Sequence, residues 1–246
     1  MFEQMETLQP VILAGGDDSR MGYNKALASF EGTTLIETIY TLLDFVFDKS
    51  PMVVTNDKAI FKDIDCLKDA LIVEDVYKGA QTLGAVATAF QYTDAENIFV
   101  IGVNMPFVSV PMIEKMSFHI QAADAVVPVQ DGTDICLHAV YNRRLMPLMR
   151  KKIAEGNHLL HSFFPQIDLV QIPVRKDKQE DAIFFDVHTP MDLKMAEEQY
   201  ESIKETEPEA FQPYKRMQTG PARSLVTILQ RLFFVPPVRE QRYSNM

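Results

Sequence analysis

The chain has 246 residues, 47% of them apolar and with 16 Phe and 13 Met, enough to bury the core of one large α/β domain with a short extension. Its formal net charge of −10 disfavours a nucleic-acid binder, which would carry a broad basic surface. An acidic protein that holds a polyanion must gather its few cations at one place. Cys66 and Cys136 lie far apart without metal-ligand spacing and read as reduced thiols of a cytoplasmic protein. The first ten residues hold two Glu and neither a basic region nor an apolar stretch, so they do not read as a signal peptide. No run approaches the roughly 18–20 apolar residues that span a bilayer, and no membrane association is expected.

Taken in chain order, apolar runs alternate with helical patterns. Residues 10–14 read as a short buried strand ended by Gly15 and Gly16. Residues 34–47 place apolar side chains at 35, 36, 39, 42, 43, 46 and 47, the spacing of a helix face, with Thr33 or Thr34 as N-cap. Strands are predicted at 51–55 and 71–74, a helix at 82–92, and a wholly apolar strand at 98–103. A helix opening on Pro111 follows, then strands at 125–129 and 137–141. A helix over 144–155 closes at Gly156, a last strand is predicted at 184–187, and a last helix at 190–200. Wholly apolar strands joined by helices predict a Rossmann-like, three-layer αβα fold with a mostly parallel sheet. In such sheets ligands bind beyond the carboxyl ends of the strands. The domain is expected to span 1–200. A polar linker with three Pro and one Gly follows at 201–221, and then a helical extension at 222–246 with Leu225, Ile228, Leu229 and Leu232 at helical spacing. That extension is expected to dock on its own domain or on a partner.

The most informative stretch is LAGGDDSRMGYNKA, residues 13–26. The connection from the first strand to the helix at 34 is too long for a tight dinucleotide-binding turn, and neither GxGxxG nor GxxxxGK[ST] is present. Gly15 and Gly16 let backbone N–H groups approach phosphate oxygens with no Cβ in the way. Arg20 offers a planar fork of donors and Lys25 a compact charge. On spacing alone, an ordinary loop with solvated Arg and Lys reads equally well.

The loop resembles the signature LAGGxSxRMGxDKx of the molybdenum cofactor guanylyltransferases, matching it at Leu13, Ala14, Gly15, Gly16, Arg20, Met21, Gly22 and Lys25. The likeness continues over about residues 10–200, through VVTN at 53–56, IVED at 72–75, NMPF at 104–107 and the region 137–156. Residues 184–193, FFDVHTPMDL, are similar to the family's closing F-x-N-x-N-T-P-x-[ED]-L. The resemblance implies that Leu13, Ala14, Gly15, Gly16 and Lys25 bind the nucleotide, Lys25 on its phosphates, with Asn56, Asp75 and Asn104 as further contacts. It implies GTP and molybdopterin as substrates, Mg²⁺ as cofactor, and a molybdoenzyme or maturation protein as a further partner. The implied reaction is attack by the terminal phosphate of molybdopterin on the α-phosphorus of GTP, with pyrophosphate leaving. Lys25 and Arg20 are the expected catalytic pair, neutralising the leaving group.

Two departures bear on that expectation. Asn104 stands where the family has a Mg²⁺-binding Asp, and Asp186 stands where it has Asn. If both face one site, a carboxylate and an amide have exchanged places and the metal is held by Asn104 and Asp186. The competing reading is a relative that binds nucleotide or cofactor without catalysis. Asp18 replaces the usual Ser beside Asp17, and QTLGA at 81–85 replaces GPLxG, which leaves cytidylyl and sugar-phosphate transfer open. His138 and His188 are within reach of the substrate phosphate in this reading, although isolated histidines are ordinarily structural. His158 and His161 lack a carboxylate partner and do not read as a zinc site.

Overall fold

The computed structural model describes residues 7–16, 18–174 and 183–206. Strand β1 (Leu8–Leu13) is followed by a hairpin, β2 (Ser29–Phe30) and β3 (Thr33–Thr34), and by helix α1 (Leu35–Val46). Then come β4 (Met52–Thr55), β5 (Leu71–Glu74), α2 (Gln81–Gln91), β6 (Asn97–Gly102) and α3 (Val110–His119). The remainder is β7 (Ala125–Gln130), β8 (Thr133–Asp134), β9 (His138–Asn142), α4 (Met146–Ala154), β10 (Leu169–Pro173) and α5 (Pro190–Thr206). One sheet carries the order β10-β7-β9-β6-β1-β4-β5, with β8 paired to β7. It is parallel except at β9, which runs antiparallel to both β6 and β7, and at β8.

Alternation along the central strands sends side chains into two cores, one on each face. Leu8 and Ile12 of β1 and Phe99 and Ile101 of β6 join Leu35, Ile39 and Leu43 of α1, Ile113 and Met116 of α3, and Leu193 and Ala196 of α5. Val11, Leu13, Ile98 and Val100 point the other way, onto Leu83, Val86 and Phe90 of α2 and Met146 and Met149 of α4. Both layers are therefore filled, as the sequence predicts for a mostly parallel sheet. Strand β1 pairs in parallel with β4 on one side and β6 on the other, so the chain departs from it in both directions. That divergence puts a topological switch point at the carboxyl ends of β1, β4 and β6, where open α/β sheets form their ligand crevice.

Local chemistry sets the ends of the two helices that matter most for the crevice. Thr34 caps α1 with a reciprocal box: its side chain accepts from Glu37 N–H while Glu37 accepts from Thr34 N–H at 2.9 Å. At α5, Asp192 Oδ2 accepts from the N–H of Thr189 at 2.8 Å and of His188 at 2.9 Å, and Thr189 Oγ1 accepts from Asp192 N–H at 3.1 Å. Thr189, Pro190 and Asp192 thus form a capping box with Pro at the first helical position.

The structure corrects several expectations. Residues 184–187 are not a strand: their apolar character comes from Phe184 and Val187, which sink into the core, while the backbone follows irregular turns. The short hairpin β2–β3, the two-residue strand β8 and the edge strand β10, of which Ile172 alone is buried, escape the sequence reading. Helix α5 runs through Thr206, so the linker expected from residue 201 starts no earlier than 207. The rest of that linker and the extension at 222–246 lie outside the described residues. No helix among the described residues is long and apolar enough to cross a membrane.

Candidate active site

The crevice is rimmed first by the loop after β1. Ala14 N–H donates to Val54 C=O at 2.8 Å, and Thr55 Oγ1 donates to Ala14 C=O at 3.3 Å, which ties the start of the loop to β4. Gly15 lies against Asn56: a Cβ built on it would sit 3.2 Å from Asn56 Nδ2. Gly16 follows at φ 148°, and Leu13 and Ala14 are buried beneath the turn. The loop is rigidified further on, where Asp18 C=O accepts from the N–H groups of Met21 and Gly22 and where Met21 is buried. Asn24 then caps a 3₁₀ turn over Lys25–Leu27 by accepting from Ala26 N–H at 3.0 Å. That turn directs Lys25 inward. Its side chain is only 12% exposed and its Nζ lies 3.8 Å from Asp18 Oδ1. Arg20 is exposed.

The second rim comes from β6 and the segment before α5. Val187 N–H donates to Asn104 C=O at 2.8 Å, stitching residues 184–188 onto the turn after β6. Across that stitch Asn104 Nδ2 donates to Asp186 Oδ1, so two residues 82 positions apart in sequence share one site. The other Asp186 oxygen, Oδ2, lies 2.8 Å from His188 Nε2. Partial burial raises the Asp186 carboxyl above the ordinary aspartate value, opposed by His188, Lys25 and the Asn104 amide. One carboxylate is therefore surrounded by an amide, an imidazole and an ammonium group. Among the described residues, no cluster of three or more His, Cys, Asp or Glu side chains could hold a metal ion.

A third group of sequence-selected residues lies beside these. Asn56 flanks the glycine turn as above. Asp75 is buried at the end of β5, where its Oδ1 accepts from Thr88 Oγ1 at 2.7 Å and from Tyr77 N–H at 2.8 Å. That oxygen holds the turn into α2. His138 leaves the site altogether. It is fully buried between Phe99 and Phe184, ring centroids 5.2 Å from each, with neither ring nitrogen partnered among the described residues. Burial in this apolar slot pushes its pKa down to about 3, so it is a neutral core residue.

The model of the MobA-like NTP transferase domain matches residues 10–169, more than half of the chain. The chain belongs to the MobA-like NTP transferase family. It is similar to the probable molybdenum cofactor guanylyltransferase of Bacillus subtilis (strain 168), 26% identical over 200 residues that cover 79% of this chain and 96% of that protein. A protein of the same description from Methanosarcina mazei is 28% identical over 195 residues, covering 75% of this chain and 87% of the other. In fold it is similar to the crystal structure of molybdopterin-guanine dinucleotide biosynthesis protein A from Archaeoglobus fulgidus, with TM-score 0.68 and 24% identity, covering 79% of this chain and all of that one. This MobA-like chain is a nucleotidyltransferase by family, on an αβα fold. The sequence sets His188 within reach of the substrate phosphate, and the structure sets it on Asp186. The signal was present: His188 stands at the second Asn of the closing motif, one residue before the Thr189 cap.

Proposed function

We propose that this chain is a cytoplasmic molybdenum cofactor guanylyltransferase, transferring GMP from GTP to molybdopterin with release of pyrophosphate. The observation that carries the reading is the meeting, at the β1–β6 crevice, of a glycine turn, an inward-facing lysine and the Asn104–Asp186 pair. The names of the relatives, which cover three quarters or more of the chain, support the choice of substrates.

Transfer needs no nucleophile from the protein. The terminal phosphate oxygen of molybdopterin attacks the α-phosphorus, the new P–O bond forms, and the bond to the β-phosphate oxygen breaks, its electron pair leaving with pyrophosphate. The protein's tasks are alignment and neutralisation of charge. The N–H groups at Gly15 and Gly16 and the Lys25 ammonium bind the β- and γ-phosphates, and Arg20, at the open rim, closes over them. Asn56, against Gly15, and Asp75, at the end of β5, sit beside the nucleoside. The donors present suit Mg²⁺: it ordinarily takes one or two carboxylates and completes its shell with water and phosphate, and Asp186 and Asn104 Oδ1 would hold it. When bound, the ion would offset charge on the phosphate oxygens. The product then passes to a molybdoenzyme or its maturation partner.

Pyrophosphate release in the presence of GTP, Mg²⁺ and molybdopterin tests the reading, with CTP and UTP in parallel. Release that requires molybdopterin and is fastest with GTP is expected. No release with any of the three nucleotides refutes catalysis, and a preference for CTP refutes the guanylyl assignment.

A further inference from the structure

Asp186 is held by a chain of donors that the family pattern does not contain. A carboxylate only accepts hydrogen bonds, so the Asn104 atom that faces Asp186 Oδ1 is the amide nitrogen. The Asn104 oxygen then lies beside Gly102, where a Cβ would stand only 2.5 Å from it. The orientation of the amide is thus dictated by the carboxylate. The carboxylate in turn is fixed at its second oxygen by His188 Nε2, at 2.8 Å. His188 is itself anchored, because its backbone N–H donates to Asp192 at 2.9 Å, inside the capping box of α5. Its Nδ1 is buried and has no partner among the described residues, so its polar contact runs entirely through Nε2.

We propose that His188 is a positioning residue: by fixing Asp186, it makes Asn104 turn its amide oxygen toward the nucleotide's phosphates and the metal. This rests on the guanylyltransferase reading above. A side chain at 188 without a donor frees the carboxylate to rotate and the amide to flip, and the site then presents N–H where an oxygen is needed. Asn at 188, the residue of the family motif, keeps a donor and keeps the arrangement. Second-layer partners of this kind change metal affinity by about 10–100-fold.

The test uses the full chain and three variants, H188A, H188L and H188N. Bound Mn²⁺ is counted by electron paramagnetic resonance in the presence of α,β-methylene GTP, which does not turn over, and kcat and KM for GTP are measured by pyrophosphate release. H188A and H188L are expected to weaken Mn²⁺ binding about tenfold and to lower kcat more than they raise KM, whereas H188N stays within about threefold of wild type. Should H188A fail to fold, H188L against H188N carries the same contrast. Wild-type Mn²⁺ affinity in H188L, or H188N as weak as H188L, overturns the proposal. A wild-type protein that binds no Mn²⁺ with the nucleotide and releases no pyrophosphate defeats the guanylyltransferase reading itself, and the role of His188 with it.

Discussion

Replacing Gly102 with alanine puts a methyl group where the Asn104 amide oxygen now sits. The added Cβ would lie 2.5 Å from Asn104 Oδ1 and 3.3 Å from Leu137 Cδ1. Carbon and oxygen ordinarily approach no closer than about 3.3 Å, so Oδ1 must withdraw by roughly 0.8 Å. The oxygen is the end of a side chain, and it yields more cheaply than the backbone, where Gly102 N–H bonds Leu137 C=O and Gly102 C=O accepts from Met105 N–H. The cost to stability is therefore mainly the Asn104–Asp186 bond, about 1 kcal/mol at a partly exposed carboxylate, and part of it is recovered by the lower entropy of an unfolded Ala. A Tm within about 4 °C of wild type follows for a chain of this size. Activity should respond far more, because displacement of a positioning group by about 1 Å costs on the order of a hundredfold. Thermal unfolding and pyrophosphate release on the same preparation separate the two. G102A retaining more than about half of wild-type kcat would falsify the placement of the Asn104 oxygen in the site.

Three further outcomes are expected. Lys25→Ala should lower transfer at least about a hundredfold, the scale for one preorganised charge contact, and a loss under about fivefold removes Lys25 from the phosphates. Asp18→Ser removes a carboxylate that competes for Lys25 at 3.8 Å, so KM for GTP should fall about two- to fivefold, as for a partly exposed ion pair; an unchanged or raised KM contradicts the competition. The third concerns pH. His138 is neutral in the fold, with a pKa of about 3, but takes a proton below about 6.5 once unfolded. The unfolded chain then binds the extra proton, so stability is full above pH 6.5 and falls by about 1.4 kcal/mol per unit as pH drops toward 3. His138→Leu should lose this part of the slope, gaining about 1.4 kcal/mol on wild type between pH 7.5 and 5.5 in urea unfolding; parallel curves for the two proteins refute it.

What the sequence discloses here is burial, and it discloses bonding only where the two coincide. Strands β1, β4 and β6 are both buried and paired, and apart from Gln9, Thr55 and Asn97 they are apolar, so their apolar runs locate them. Residues 184–187 have the same apolar look, but Phe184 and Val187 fill the core beside a backbone that, among the described residues, pairs through Val187 and Asn104. Strand β10 shows the converse: its ladder to β7 is complete, yet as an edge strand it buries little and ends on Pro173, so its pattern is faint. The site divides the same way. Gly15, Gly16 and Lys25 are legible because the geometry of a phosphate demands small residues and a cation close together. The contact of Asn104 with Asp186 spans 82 positions and is visible only as two compensating departures from a family pattern. His138 and His188 look alike in sequence, and only the fold shows that one is sealed in the core and the other lies on the Asp186 carboxylate.

Those compensating departures make the strongest demand on experiment. In the family pattern the acid stands at position 104, with amides at 186 and 188. Here the amide stands at 104, the acid at 186 and an imidazole at 188. The number of acids is unchanged, and each contact is still a donor meeting an acceptor, but the polarity of the pair is reversed. Asn104→Asp alone therefore sets two carboxylates against each other, which raises the pKa of one and repels the phosphates. Asp186→Asn alone leaves two amides and no charge for the proposed Mg²⁺. Each single change should lower kcat/KM about tenfold or more, as for loss of one metal-supporting group. The double variant restores one acid and one amide in the family's own order, so it should recover to within about threefold of wild type, a coupling larger than independent sites can show. A double variant no better than the worse single one would mean that Asn104 and Asp186 do not act as a pair, and the exchange would lose its functional meaning.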